Sequence, residues 1–227
     1  PDVLVVADVV AEIPDAMRPQ PGKPVYYHIL GMRKRDLGAS VAGEEEMVPG
    51  TMEREVVRAL AEQGFMQTGP RGPRSSLALV IEWGSANLDI DEYTELPPPV
   101  IGGRPSDDPL AWLDAPEEPV TRVRVYNRSE IMMLVGADKA KVRGLSGTEL
   151  ELINDAMRQG RSYVFIGAFD AALLRKEERK LLWRTRMSIV ALDRSLPDAL
   201  GAMMASGAPH FGQNVDGPVF ITDKDRR

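Results

Sequence analysis

Leu77-Ala78-Leu79-Val80-Ile81-Glu82-Trp83 is a continuous apolar run of strand length, bounded upstream by the basic, proline-punctuated turn Gly69 to Arg74. A strand apolar on both sides is buried on both faces or central in its sheet. Working backwards, Pro49-Gly50-Thr51 introduces a helix in which Met52, Val56, Val57 and Leu60 recur at helical spacing. Thr51 is placed to cap it and Gly64 to terminate it. Before the helix, Val25-Tyr26-Tyr27-His28-Ile29-Leu30 is rich in β-formers and bounded by Pro24 and Gly31. Strand, helix and strand in this order predict a βαβ crossover and an α/β fold with a mixed sheet.

Outward from that unit, Val3 to Val10 is apolar and β-branched. The prolines at 14, 19, 21 and 24 follow so closely that only a short strand or an arm is expected. Downstream, seven prolines fall between Pro97 and Pro119, so residues 84–119 read as an acidic, proline-rich irregular insertion or surface loop within a single domain spanning 1–227. Ile90, Tyr93, Leu110, Trp112 and Leu113 could pin parts of it. Thr121 to Tyr126 alternates cationic and β-branched side chains like a half-exposed strand, and Arg122–Tyr126 is expected to join the mixed sheet.

Helices are expected from the cap Ser129 to Gly136 and over Thr148–Arg158. Strands are expected at Tyr163–Phe169 and Leu181–Ala191, joined by a partly helical connection. Ser195-Leu196-Pro197-Asp198 opens a closing helix with Leu196, Leu200, Met203 and Met204 on its apolar side. Val219–Ile221 is the last candidate strand. The helices Thr51–Gln63 and Leu196–Ala205 are expected to cover the sheet.

The chain has 227 residues, 43% of them hydrophobic and 27% charged, a composition ordinary for a globular protein that can bury a sizeable core. No apolar run approaches the roughly 20 residues of a membrane span. Cysteine is absent, which excludes disulfides, thiol nucleophiles and thiolate metal sites. Pro1 reads as the start of a processed or trimmed chain, and a removed signal peptide is one way to produce it.

The net charge of −6 conceals a gradient. Residues 1–120 carry 21 acidic and 10 basic side chains, whereas residues 121–227 carry 13 and 18. Glu82 to Glu118 holds ten carboxylates, Asp107 and Asp108 among them, against Arg104 alone. Arg175, Lys176, Arg179, Lys180, Arg184 and Arg186 form the dense basic cluster. Solvated surface accounts for both, and complementarity between two faces of the same or neighbouring molecules is the sharper alternative. In a strand, Arg184 and Arg186 fall on the face opposite Trp183, with Trp183 inward and the arginines in solvent. The calculated pI of 5.1 argues against a nucleic-acid binder, though the basic hairpin 175–186 is its only candidate surface.

Familiar catalytic signatures are missing: there is no nucleophile elbow, phosphate loop, dinucleotide fingerprint or His-Glu-x-x-His. Of the two histidines, His28 lies inside a strand and reads as structural, and His210 lies in a loop. With Asp170 or the Asp89–Glu92 cluster it makes the candidate polar site of the alternative reading, a carboxylate-dependent hydrolase. The carboxylates of Asp89 to Glu92 lack EF-hand spacing, so no metal and no cofactor are implied. Met132, Met133, Met187, Met203 and Met204 fall on expected core faces.

Arg58-Ala59-Leu60-Ala61-Glu62-Gln63-Gly64-Phe65 followed by the strand Leu77 to Trp83 resembles the core of small bacterial cell-envelope lipoprotein domains of unknown function. Phe169-Asp170, then Lys180-Leu181-Leu182-Trp183-Arg184 and a closing amphipathic helix, are similar to their hairpin and last helix. The resemblance covers about half the chain. Residues 84–119 and the helices between Ser129 and Arg158 depart from it, and no lipobox cysteine is present. It implies helices on a mixed sheet and a periplasmic or extracellular place, the cytoplasm being the alternative. It carries over no functional residue. Together these readings favour a non-enzymatic protein that works by association with a protein partner or with itself.

Overall fold

The apolar run around Ile81 forms the strand Leu77–Ala86, which lies inside a seven-stranded mixed sheet, as its two-sided hydrophobicity requires. The computed structural model describes residues 2–38, 45–69, 71–88, 90–95, 120–125, 127–139 and 147–225. In chain order the strands are β1 Val3–Val9, β2 Val25–Lys34, β3 Phe65–Gln67, β4 Leu77–Ala86, β5 Ile90–Glu95, β6 Val120–Val125, β7 Arg161–Asp170, β8 Leu181–Val190 and β9 Val219–Ile221. The helices are α1 Pro49–Glu62, α2 Arg128–Val135, α3 Gly147–Arg158, α4 Ala171–Leu174 and α5 Leu196–Gly207.

The chain divides into two compact units, Pro1–Leu88 with Asn127–Arg227, and Asp89–Tyr126. The first holds the seven-stranded sheet in the order β3-β2-β4-β7-β8-β1-β9. β2 runs parallel to both β3 and β4, which is the expected crossover through α1, and the remaining pairs are antiparallel. The second unit contains the antiparallel pair β5 and β6.

On the first face of the sheet, α1 contributes Met52, Val56, Ala59 and Leu60, and α5 contributes Leu196, Ala199, Leu200, Met203 and Met204. They close on a core that includes Leu79, Ile81, Trp83, Val164, Ile166, Trp183 and Met187. Each large side chain buried there contributes roughly 2 kcal/mol of transfer free energy. Trp183 packs between Phe65 and Phe211, with ring centroids 5.7 and 6.0 Å away. On the second face, α2 and α3 cover only part of the strands, burying Leu4, Val135, Ile153 and Ala156 in one cluster and Leu37, Ala86, Ile131 and Tyr163 in another.

Of the two expectations for Val3 to Val10, the short strand is what forms: β1 has seven residues, lies between β8 and β9 and is buried from Val3 to Ala7, because the prolines follow the run without interrupting it. Three expectations are corrected. Residues 84–119 are not irregular from their start, since β4 continues through Ala86 and Ile90–Glu95 forms β5. The strand at Arg122 pairs with β5 and stays out of the large sheet. Neither Thr51 nor Ser129 caps its helix: Val48, ahead of Pro49, and Asn127 stand at those positions. Residues 96–119, with Asp107 and Asp108, lie outside the described residues.

Candidate functional site

Strand alternation and register align polar side chains in rows on the second face. Arg33, Glu82, Phe165 and Arg186 are neighbours across β2, β4, β7 and β8. The next row runs Gly31, Val80, Gly167, Arg184 and Asp8, ending on β1. The rows lie where cover by α2 gives way to open sheet, so a charged group here is half desolvated and needs a partner.

Asp8 is the centre of one network. It is 7% exposed, and it accepts from Arg184 Nε at 2.9 Å, pairs with Lys139 Nζ at 2.5 Å and accepts from Arg186. Lys139 Nζ also donates to the carbonyls of Ala7 at 2.8 Å and Val215 at 2.6 Å, tying three segments together. Arg186 donates to the carbonyl of Met133 near the end of α2, where orphan carbonyls need donors. Burial alone would push the Asp8 carboxyl up. The Lys139 hydrogen bond, the Arg186 charge and the Arg184 hydrogen bond outweigh it and hold the group below its ordinary value. Burial lowers the Arg186 guanidinium to about 10, against the favourable charge of Asp8.

Glu82 is the centre of the other network. Arg33 Nε donates to it at 2.7 Å, Arg35 lies 3.6 Å away, and Arg35 continues to Glu130 on α2. The Tyr163 hydroxyl donates to the Arg35 carbonyl at 2.5 Å, which fixes the chain beyond β2.

Among the described residues, two cavities open on this face. A groove of about 610 Å³ is lined by Leu30, Gly31, Arg33, Val80, Phe169 and Leu174, with Glu177 and Arg179 at its rim. A smaller one of about 190 Å³ is lined by Arg35, Glu82, Glu130, Arg184 and Arg186 together with Leu37, Met133, Leu134, Tyr163 and Phe165.

The basic cluster is therefore split. Arg175, Lys176, Arg179 and Lys180 are exposed in the β7–β8 connection. Arg184 and Arg186 do face away from Trp183, but they are not in solvent: Arg186 is 4% exposed, because Asp8 and the end of α2 cover it. Asp170 caps α4, its Oδ1 accepting from the backbone N–H of Ala172 at 2.8 Å and Leu173 at 3.1 Å. His210 sits in the 3₁₀ turn after α5, where burial lowers its pKa; neither it nor Asp170 lines either cavity. His28 meets Ser75 Oγ at 2.9 Å through Nδ1 and anchors the approach to β4. Among the described residues no cluster of metal-ligating side chains forms, and no helix is long and apolar enough to cross a membrane.

Asp8, Lys139 and the Glu82 network were not anticipated from sequence. Their signal was a single carboxylate inside an otherwise apolar run, Asp8 in Val3–Val9 and Glu82 in Leu77–Trp83. A carboxylate with buried neighbours on both sides must itself be paired.

No family model and no curated protein matches the sequence. Among solved structures, the chain is similar to a PDZ domain protein from Parabacteroides distasonis ATCC 8503 at 7% identity, with a TM-score of 0.41. The match covers 96% of this chain and 38% of that one, so the chain spans well under half of that protein's length.

Proposed function

We propose that this protein works by association, without catalysis, and that the groove on the second face of the sheet is where it binds. The observation that supports this is the uncovered floor between Gly31, Val80 and Phe169, bordered by Leu30, which is 54% exposed beside the irregularity between Ile29 and Gly31 in β2. Strand faces of this kind are normally covered. Around it stands the exposed β7–β8 connection, in which Arg175, Lys176, Arg179 and Lys180 outnumber Glu177 and Glu178, with Glu177 and Arg179 on the groove itself.

The occupant in this reading is the acidic segment of a second copy. Residues 105–119 hold Asp107, Asp108, Asp114, Glu117 and Glu118 with no cation, and Leu110, Trp112 and Leu113 lie between them. Carboxylates matched to the net-positive β7–β8 connection and apolar anchors matched to Val80, Phe169 and Leu174 give both electrostatic and hydrophobic complementarity. The resemblance to envelope lipoprotein domains supports placing this association in the periplasm or outside the cell, which fractionation of the producing cells would test.

Sedimentation velocity over a range of protein concentrations and salt tests the association. The expected result is a concentration-dependent dimer that weakens as salt rises. It should be lost in Trp112→Ala and in the double change Arg179→Glu, Lys180→Glu. A monomer at every concentration, indifferent to salt, overturns it.

A further inference from the structure

The smaller cavity combines three features that the association reading does not use. Arg184 spends only its Nε on Asp8, and among the described residues its two terminal nitrogens meet no acceptor. Among the described residues, the Nε of Arg186 is buried without a partner. Beside these donors the lining turns apolar, with Leu37, Leu134 and Phe165.

The charges around the cavity are nearly balanced. Of the residues that line it, Arg35, Arg184 and Arg186 stand against Glu82 and Glu130, which leaves one positive charge in excess. A guanidinium with free terminal N–H groups is a bidentate carboxylate receptor. Cavities for drug-sized molecules run from about 300 Å³ upward, so 190 Å³ fits a ligand of a few heavy atoms.

We infer that this cavity is a binding site for a small aliphatic monocarboxylate, whose carboxylate is held by Arg184 and whose short tail lies against Leu37, Leu134 and Phe165. One negative charge balances the excess, and the tail fills space that a bare inorganic anion would leave to water. The cavity shares no lining residue with the groove.

Two-dimensional NMR titration of the whole chain at low, constant ionic strength tests the site with three probes: butyrate, butyramide and inorganic phosphate. Butyrate is expected to bind saturably and to shift the Arg184 side-chain N–H signal. Butyramide lacks the charge and phosphate lacks the tail, so each is expected to bind about tenfold more weakly or worse. Arg184→Gln should weaken butyrate by about tenfold or more. Should that variant fail to fold, Met133→Trp, at a lining position 38% exposed, narrows the cavity with every charge in place and must also weaken butyrate. No saturable response to butyrate, equal binding of the amide or of phosphate, or unchanged affinity in the folded variant each overturns the assignment.

Discussion

Asp8 and Arg184 stand directly opposite each other on β1 and β8, and their side chains close the pair on the second face of the sheet, with Arg184 Nε donating to Asp8 Oδ2 at 2.9 Å. Arg186 and Lys139 converge on the same carboxylate, so Asp8 is the anion on which three cations depend. Asp8→Asn keeps the shape and removes the charge, leaving those cations desolvated without a counter-charge. The expected loss is about 3 kcal/mol of stability. Urea unfolding with an unchanged slope and a lowered midpoint would show it. A variant as stable as the native chain would mean that the network is energetically idle.

The same carboxylate sets an acid limit. Its pKa is depressed in the folded state, so its contribution is present above the ordinary aspartate value of 3.8 and is lost as the pH falls from there through the folded-state value. His210, lowered by burial, acts in a higher window, since its contribution is present above 6.5 and lost below it. Urea unfolding of the native chain and of Asp8→Asn from neutral pH to pH 3 separates the two. The gap between the proteins should stay constant through the histidine window and shrink only below about 4. A gap that closes near pH 6 would assign it to the wrong group.

These networks mark where the sequence is legible. Hydrophobic period placed β2, β4, β7, β8, α1 and α5 closely, since each buries a continuous face whose pattern is local. What period does not encode is pairing between distant strands. β1 reads as a short strand or an arm beside its prolines, and only the contacts of Val3–Val9 with β8 and β9, more than 170 residues away, make it an interior strand. Likewise, the alternation of Thr121–Tyr126 correctly gives a strand, but nothing in it tells β5 from β8 as the partner. For the candidate site, alternation put Arg184 and Arg186 on the face away from Trp183, but their burial depends on Asp8 and α2, which are far off in sequence.

A second local device is Glu177. It holds φ at 64° in the turn that ends α4, where its N–H donates to Leu174 O and that of Glu178 to Leu173 O. This is the left-handed position that closes a helix and that glycine ordinarily fills. Its Cβ costs roughly 1 kcal/mol there. Glu177→Gly is therefore expected to raise stability by about 0.5 kcal/mol after the extra chain entropy of glycine is subtracted. Glu177→Ala, which keeps the Cβ, should gain nothing. Thermal unfolding of the two variants side by side decides the matter, and equal midpoints would remove the strain argument.

Gly84 shows how a turn residue in the sequence becomes a packing residue in the fold. It lies inside β4, and a Cβ built on it would meet the Arg35 carbonyl oxygen at 2.4 Å and the Arg35 carbonyl carbon at 2.8 Å. Glycine in a strand interior often marks such a close backbone approach. The Arg35 carbonyl cannot retreat freely, because it accepts the Tyr163 hydroxyl and the Arg35 N–H donates to the Trp83 carbonyl. Gly84→Ala must therefore push this segment off the sheet, at about 2 kcal/mol. It should also loosen the Arg35 contacts with Glu82 and Glu130, which border the smaller cavity. Hydrogen exchange at Arg35 and Leu37, whose N–H groups donate to the Trp83 and Ser85 carbonyls, reads this directly. Faster exchange at these two amides, with the β7 and β8 amides unchanged, is the expected pattern, whereas native protection at Arg35 would show that the backbone contact is not limiting.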